Sequence, residues 1–457
     1  MLRRLLFSNF RFVFRLSQWT LHRFTPAGML VLGGMVSAGV FGIDTRQSLA
    51  FQIFAITASL LLLSILNAFT FRGHFRINRR LPEFGTVGQP LKYKLIIDNL
   101  DNRHQQELLV FDELATTLPT FREFIESDDP QDRNRNWFDR MVGYPRLMGL
   151  IRKKRGAFIT PVEIDDITAA DRSEISVELL PVRRGYLHFA RSRLARSDPF
   201  GLFRAMQGEP NNDALLILPK TYRIPPVQLR GTRKYQRGGM NLASTVGDSQ
   251  EFMSLRDYRP GDPLRAIHWR SYARTGQPVV KEFQDEYFVR QGLILDTFIE
   301  DKSEEIFEEA VSVAASFIIS LRQQDSLLDL MFIGTESYRF TAGRGLSKTE
   351  NMLEILACVE PCHERAFNKL NELILRHASE MSGLLCLFLD WDEKRREVVQ
   401  GLIAMGIPVL VFVLTVEQHV TPWDPGPMAG QPQHFIVLPM GRIQEKLDQE
   451  NSLGDVL

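Results

Sequence analysis

Cysteine is scarce in this sequence: three in 457 residues, at Cys358, Cys362 and Cys386. Three are too few for a disulfide framework and fit a reducing compartment. Cys358 and Cys362 with His363 have the look of half a metal cluster, but no matching second ligand pair accompanies them. Reduced cysteines on a core helix are the plainer reading. Net charge is missing too. Fifty-five basic residues balance 55 acidic ones, so no global field points to nucleic acid as a partner. There is no internal repeat, no low-complexity tract, and no zinc, serine-hydrolase or dinucleotide-binding motif. The segment AGRGLSKT (342–349) resembles a phosphate-binding loop, but Ser347 stands where glycine should precede Lys348. Ser347 with Glu350 reads instead as a capping box for a following helix.

What is present begins with two uncharged stretches, PAGMLVLGGMVSAGVFGI (26–43) and SLAFQIFAITASLLLLSILNAFTF (48–71), separated only by Asp44, Thr45, Arg46 and Gln47. As helices they reach roughly 27 and 36 Å, which predicts a two-helix transmembrane hairpin. Gly34 and Ala38 have the small-xxx-small spacing that lets helices approach. Arg3, Arg4, Arg11, Arg15 and Arg23 precede the hairpin, and Arg72, Arg76, Arg79 and Arg80 follow it. Basic flanks stay on the cytoplasmic side, so both termini are expected there. Residues 1–25 carry arginines among Phe, Leu and Trp and no acid, the pattern of a basic amphipathic segment lying on membrane lipids.

From residue 74 the periodicity changes to two. Tyr93, Leu95 and Ile97 alternate with Lys92 and Lys94, and similar runs follow at 107–114, 175–182, 186–195 and 214–219. Strands at short spacing without intervening helices predict an antiparallel β-sandwich of immunoglobulin type over 72–230, interrupted by an insertion at 115–172. Within the insertion, Trp137, Phe138, Met141, Leu147, Leu150 and Ile151 lead into a basic tail. That pattern suits either a helix packed on the sandwich or a second membrane-surface contact. From about 290 to 440, buried strands alternate with amphipathic helices, which predicts an α/β doubly wound parallel sheet, followed by a tail at 441–457.

Between these parts lies the segment 231–289. Its centre, LRDYRPGDPLRAIHWRSYARTG (255–276), crowds five arginines, a histidine and a tryptophan into 22 positions. Pro260-Gly261 reads as a turn, Asp262 as an N-cap, Pro263 as a first helical residue and Gly276 as the helix end. In such a helix Arg270 and Arg274 share a face, Leu264, Ile267 and Ser271 share another, and Arg265 sits one turn from Trp269, within reach of cation–π stacking.

The run SQEFMSLRDYRPGDPLRAIHWRSYARTGQPVVKEFQDE (249–286) and the upstream RRGYLHFARSRLARSDPFGLFR (183–204) resemble signatures of the bacterial "domain of unknown function 58" family. The resemblance implies a von Willebrand factor A-like carboxyl domain. It also implies gene neighbourhoods shared with MoxR-type AAA+ ATPases and, often, with transglutaminase-like membrane proteins.

Three roles compete for the arginine segment. The arginines pair internally with Asp257, Asp262, Glu282, Asp285 and Glu286; or Arg256, Asp257, Arg265, His268, Trp269, Arg270 and Arg274 bind a partner or an anion; or His268 is a general acid or base. The last lacks a nucleophile with a defined partner. In the carboxyl domain, metal-binding von Willebrand A domains carry Asp-x-Ser-x-Ser after the first strand. Here Asp296, Thr297, Phe298, Ile299 and Glu300 stand at those positions, and Phe298 cannot ligate. Asp296 and Asp390 remain weak metal candidates, and no cofactor is expected, Mg²⁺ being the alternative. The expected function is a non-catalytic scaffold or adaptor in the bacterial inner membrane. It is multi-pass with cytoplasmic soluble domains and works with a MoxR-type AAA+ ATPase in envelope-protein assembly or maturation. The alternative is a Mg²⁺-dependent or arginine-clamped enzyme acting on a phosphate or a peptide.

Overall fold

A computed structural model of the chain describes residues 2–41, 48–71, 73–115, 118–126, 136, 143–225, 252–262, 264, 267–283, 289–299, 304–321, 326–334, 336–342, 346–362, 367–416 and 423–449. It holds mixed sheets and helices in two units, Met1–Lys220 and Thr221–Leu457.

In the first unit, α1 (Leu2–Arg23), α2 (Pro26–Phe41) and α3 (Ser48–Ala68) follow one another, and α2 packs on α3. The helix Leu49–Ala68 is long and apolar enough to cross a membrane. The described part of the first stretch is shorter: α2 has 16 residues, about 24 Å at 1.5 Å per residue. The close approach of the two helices is not at Gly34, where a Cβ would meet nothing within 4 Å, but at Gly39, where a Cβ would lie 3.3 Å from the Phe54 ring.

The join between α1 and α2 is built with care. Pro26 opens α2, where its missing N–H costs nothing, and the Thr25 hydroxyl caps the helix by accepting from the Gly28 amide at 3.0 Å. Thr25 also donates its own amide to the Leu202 carbonyl at 3.1 Å, and Phe24 bridges Phe203, their rings meeting edge to face at 5.1 Å. Leu202 and Phe203 belong to the turn SDPFGLF (197–203) that the sequence singles out. Asp198 organises that turn by accepting from the amides of Phe200 at 3.0 Å and of Leu202 and Phe203 at 2.7 Å. Burial works against its charge. The Phe203 amide, the nearby Ser64 hydroxyl of α3, and the Phe200 and Leu202 amides outweigh it and hold Asp198 below the usual carboxylate range.

The sandwich follows at once. Its strands are β1 (Phe75–Arg80), β2 (Phe84–Thr86), β3 (Leu91–Asn99), β4 (Leu108–Leu114), β5 (Ala157–Ile159), β6 (Val162–Ile164), β7 (Arg172–Pro181), β8 (Gly185–Ser197), β9 (Arg204–Pro210) and β10 (Ala214–Leu218). One sheet runs β1-β3-β7-β5; the other runs β2-β10-β8-β4-β6, with β9 also on β8. Alternate residues of both sheets, among them Tyr93, Leu95, Ile97, Val110, Leu179, Phe189 and Ile217, share one core. The insertion is shorter than its expected span of 115–172, because β5 and β6 pair with β7 and β4 and so belong to the sandwich.

Two corrections concern charge and packing. Arg79, counted as a membrane flank, is wholly buried in the sandwich. Its guanidinium grips both oxygens of Asp112 at 2.9 and 2.6 Å, reaches Ser192 at 3.0 Å and lies over the Phe189 ring, joining the two sheets. Burial and the neighbouring Asp112 carboxylate together push the Tyr93 hydroxyl, hydrogen-bonded to Asp112, far above its ordinary pKa. Within the insertion are α4 (Phe121–Glu126) and α5 (Tyr144–Lys154). Leu147 and Ile151 of α5 are buried with Phe124 against Phe7 of α1, so this apolar face is taken by the amino-terminal helix. Trp137, Phe138 and Met141 lie outside the described residues.

In the second unit, β11 (Phe252–Asp257), α6 (Trp269–Thr275) and β12 (Val279–Phe283) precede an α/β layer. That layer comprises β13 (Val289–Leu295), α7 (Glu304–Leu321), β14 (Ser326–Ile333), β15 (Ser337–Ala342), α8 (Leu346–Cys358), α9 (Phe367–Ala378), β16 (Gly383–Phe388), α10 (Glu393–Ala404), β17 (Val409–Thr415), β18 (Phe435–Pro439) and α11 (Ile443–Gln449). The sheet order is β15-β14-β13-β16-β17-β18, parallel except at the β15 edge. One face buries Ile294, Met331, Cys386 and Val411 against α9 and α10. On the other, Phe412 meets Phe317 of α7 at 5.0 Å. Helices thus cover both faces, as the alternation predicts. Helix α8 starts at Leu346, which puts Ser347 inside its first turn rather than at the cap. Cys358 is exposed at the end of that helix and none of the three cysteines forms a disulfide; His363 lies outside the described residues.

Candidate functional site

The arginine segment forms a small, self-contained structure on β12. Strands β11 and β12 pair antiparallel with Arg256 opposite Val280 and Asp257 opposite Val279. The chain between them returns to the other edge of β12, where Ile267 bridges Val280 and the His268 amide donates to the Val279 carbonyl at 2.9 Å. Ile267 and Val280 are its buried apolar pair.

Asp262 does not cap the helix. Its carboxylate takes both Nη atoms of Arg256 at 2.7 and 2.8 Å and the Arg259 amide at 2.9 Å. These donors, the Arg256 fork first, lower its pKa to about 2. The helix therefore starts six residues later than Pro263, at Trp269 with His268 as its N-cap, and ends as predicted at Gly276, whose φ of 70° suits glycine.

The helix α6 is short and buries no residue. Trp269 is 60% exposed, and Tyr272, packed edge to face with it at 6.1 Å, is also exposed. Arg270 and Arg274 are exposed beside them, as are Leu255 and Leu264. Leu264 thus leaves the apolar face assigned to it, and Arg274 is on the surface. His268 points inward to its own helix, its Nδ1 2.7 Å from the Ser271 hydroxyl. Asp257 is exposed. Arg265 lies outside the described residues. The structure therefore joins Arg256 to Asp262 as a half-buried brace and gathers Trp269, Arg270, Tyr272 and Arg274 on one exposed helix.

The second candidate is the carboxyl edge of the parallel sheet. Strand order reverses between β13 and β16, which makes the crevice beyond their ends the switch point where such sheets hold ligands. Asp296 sits there, fully buried, and so does a residue no strand pattern picks out. Arg395, in the first turn of α10, donates from Nε to Asp296 at 2.7 Å and from Nη1 to Asp392 at 2.9 Å. Its guanidinium also lies 4.8 Å over the Phe367 ring. Asp296 Oδ1 accepts from the Phe298 amide at 3.0 Å, and Oδ2, the oxygen that Arg395 reaches, also accepts from the Leu389 amide at 3.1 Å. Burial works against the Arg395 charge, but Asp296 and Asp392 more than restore it, and its pKa is raised. A cation of the chain's own thus fills the place of the weak metal candidate. Asp390 accepts from the Trp391 amide at 2.7 Å, and Glu300 lies outside the described residues. Asp392, not singled out in the sequence, caps α10 by accepting from the Arg395 amide at 3.1 Å.

Residues 254–409 match the family described as "Protein of unknown function DUF58", a stretch that starts in β11 and ends at the first residue of β17. An "Uncharacterized protein YeaD" of Bacillus subtilis (strain 168) is 29% identical over 45% of this chain and 52% of its own length, so the chain matches about half of that relative. Among solved structures, a PapD-like domain of human CEP192 aligns with 30% of this chain and 84% of its own at 10% identity and a TM-score of 0.15. A Vibrio harveyi exo-β-N-acetylglucosaminidase aligns with 78% of this chain and 69% of its own at 8% identity and the same score. Superpositions this loose do not bear on the fold.

Proposed function

We propose, from the premise that this chain belongs to the DUF58 family of proteins of unknown function, that it is a membrane-anchored scaffold whose helix α6 docks a MoxR-type AAA+ ATPase. The observation that carries the reading is the composition and exposure of α6. A helix that spends no side chain on its own core, and offers Trp269, Tyr272, Arg270 and Arg274 together, has the residue types that dominate binding energy at interfaces. The ATPase is the partner that the family resemblance implies, with a transglutaminase-like membrane protein as a further associate and envelope-protein assembly or maturation as the task.

In this reading α2 and α3 form a hairpin in the bacterial inner membrane, with both termini and both soluble units cytoplasmic. The sandwich is of immunoglobulin type and the carboxyl unit is a von Willebrand factor A-like domain. The Asp296–Arg395 pair speaks against the enzyme alternative at the switch point, because the carboxylate that would hold Mg²⁺ already holds a guanidinium. The test is a pull-down of the full chain from detergent-solubilised membranes, with and without ATP, comparing the natural protein with Trp269→Ala and Arg270→Ala. Retention of an AAA+ ATPase by the natural chain and its loss from both variants is the expected result. No AAA+ ATPase in any eluate, or equal retention by both folded variants, would overturn the proposal.

A further inference from the structure

A cavity of about 420 Å³ opens in the first unit between the end of α1 and the outer face of β8 and β9. Its walls carry Trp19, His22 and Arg23 from α1 and Arg191 and Arg193 from β8. This is a size range typical of small-molecule sites. The charge is one-sided. Arg191 and Arg193 project from the same side of β8 by the two-residue strand period, and one carboxylate, Glu113, serves both. It lies 3.0 Å from Arg193 and 3.9 Å from Arg191. Arg23 gives a single long hydrogen bond, 3.4 Å, to the Arg204 carbonyl. Among the described residues, the one acid ion-paired to these three guanidiniums is Glu113, and it reaches only Arg191 and Arg193.

The backbone is cut to fit this arrangement. Gly208 lines the cavity opposite Arg193 in the β8–β9 register. A Cβ there would lie 2.2 Å from the Ser192 carbonyl oxygen and 2.9 Å from Arg193 Cγ, so only glycine leaves Arg193 where it stands. Burial, and secondly the charge of Arg193, lower the pKa of Arg23, the direction expected where cations crowd without enough counter-charge.

We propose that this cavity binds a phosphate group, held by the forks of Arg23, Arg191 and Arg193. Planar guanidiniums bind phosphate oxygens two at a time, and three converging on one space favour a dianion or a phosphodiester over a carboxylate. Two sources carry that chemistry: the headgroup of an anionic lipid and a soluble phosphate ester. The site lies at the end of α1, three residues before Pro26 opens α2, which is the depth of a headgroup if α2 and α3 enter the bilayer. The lipid source rests on the membrane reading above; the phosphate site itself does not.

The experiment is calorimetric titration of the full chain in neutral detergent. The probes are dihexanoyl phosphatidylglycerol, dihexanoyl phosphatidylcholine, glycerol 3-phosphate and inorganic phosphate. Phosphatidylglycerol is expected to bind at least tenfold more tightly than phosphatidylcholine. Arg191→Gln and Arg193→Gln should each weaken it at least tenfold, while Arg172→Gln, which removes one exposed charge from another sheet, should leave it unchanged. Where a glutamine variant fails to fold, Arg191→Lys and Arg193→Lys keep the charge and remove the fork, and a loss of at least threefold is expected. If glycerol 3-phosphate or inorganic phosphate binds as tightly as the lipid with the same variant pattern, the phosphate site stands and the lipid source falls. Binding of no probe, or equal loss in Arg172→Gln, would overturn the site.

Discussion

Arg395 Nε lies 2.7 Å from Asp296 Oδ2 at the carboxyl edge of the parallel sheet, with neither side chain more than 4% exposed. Two charges this deep are stable only together. Removing the guanidinium leaves a carboxylate with two amide donors and no cation, at a cost of about 3–5 kcal/mol. Arg395→Met should lower the chemical-denaturation stability of the carboxyl unit, read within the full chain, by that amount. The double variant Arg395→Met/Asp296→Leu should recover much of it. A loss below 1 kcal/mol for Arg395→Met would mean the pair is not the brace described.

The same pair sets an expectation for metal. Titrating the natural chain with Mg²⁺ or Mn²⁺ should give no heat of binding in the micromolar range, because a divalent ion at Asp296 must first displace a hydrogen-bonded guanidinium. Tight binding that disappears in Asp296→Ala would contradict this.

Asp262 offers a pH test. Its folded pKa, about 2, lies below its ordinary value of 3.8. The contribution of a carboxylate lowered in this way is complete above its ordinary value and is lost as pH falls through the folded one. Acid sensitivity of the β11–β12 hairpin should therefore fall between about pH 4 and 2. A carboxyl-detected titration of Asp262 should move upward in Arg256→Gln, toward the ordinary range. An unchanged midpoint would remove Arg256 as the cause.

Exposure predicts that Trp269→Ala and Arg270→Ala are silent for folding, each within about 0.5 kcal/mol of the natural chain. At the proposed interface Trp269→Ala should cost at least about 2 kcal/mol of partner binding. Thermal melts and affinity measurements with the purified ATPase separate the two quantities. Destabilisation by both variants would make α6 structural.

Gly28→Ala should be costly where Gly34→Ala is not. A Cβ at Gly28 would lie 1.9 Å from the Leu202 carbonyl oxygen, whereas at Gly34 nothing is within 4 Å. The expected loss for Gly28→Ala is about 1–3 kcal/mol, as for other overpacked sites. It would be read as a lower melting temperature of the full chain in detergent. Equal melting temperatures for the two variants would show that α2 does not dock on the Asp198 turn.

Much of the architecture was legible because periodicity is local. Tyr93, Leu95 and Ile97 announce a half-buried strand, and the strand–helix alternation after 290 announces helices on both faces of a sheet. The failures at the charged residues are failures of pairing. Arg79 resembles a membrane flank until its partner Asp112, 33 positions later, is known. Asp262 has the local grammar of an N-cap, but Arg256 competes for its oxygens and wins with two charged donors. Asp296 is legible as a strand-end carboxylate, yet its cation arrives from 99 residues downstream. Pairing of this kind leaves no periodic trace, so only the folded chain discloses which charges are braces and which, like Arg270, face solvent.

The turn at Asp198 has a mechanical consequence. Phe24 and Thr25 alone link α1 to α2, both are fastened to Leu202 and Phe203, and Leu61 of α3 packs into the same cluster. The sandwich is therefore bolted to its apolar helices and does not swing from them on a string. Torque applied to it passes into α3 as tilt through the Leu61 contact. A partner approaching the sandwich meets a surface whose orientation is already spent as entropy, before the encounter begins.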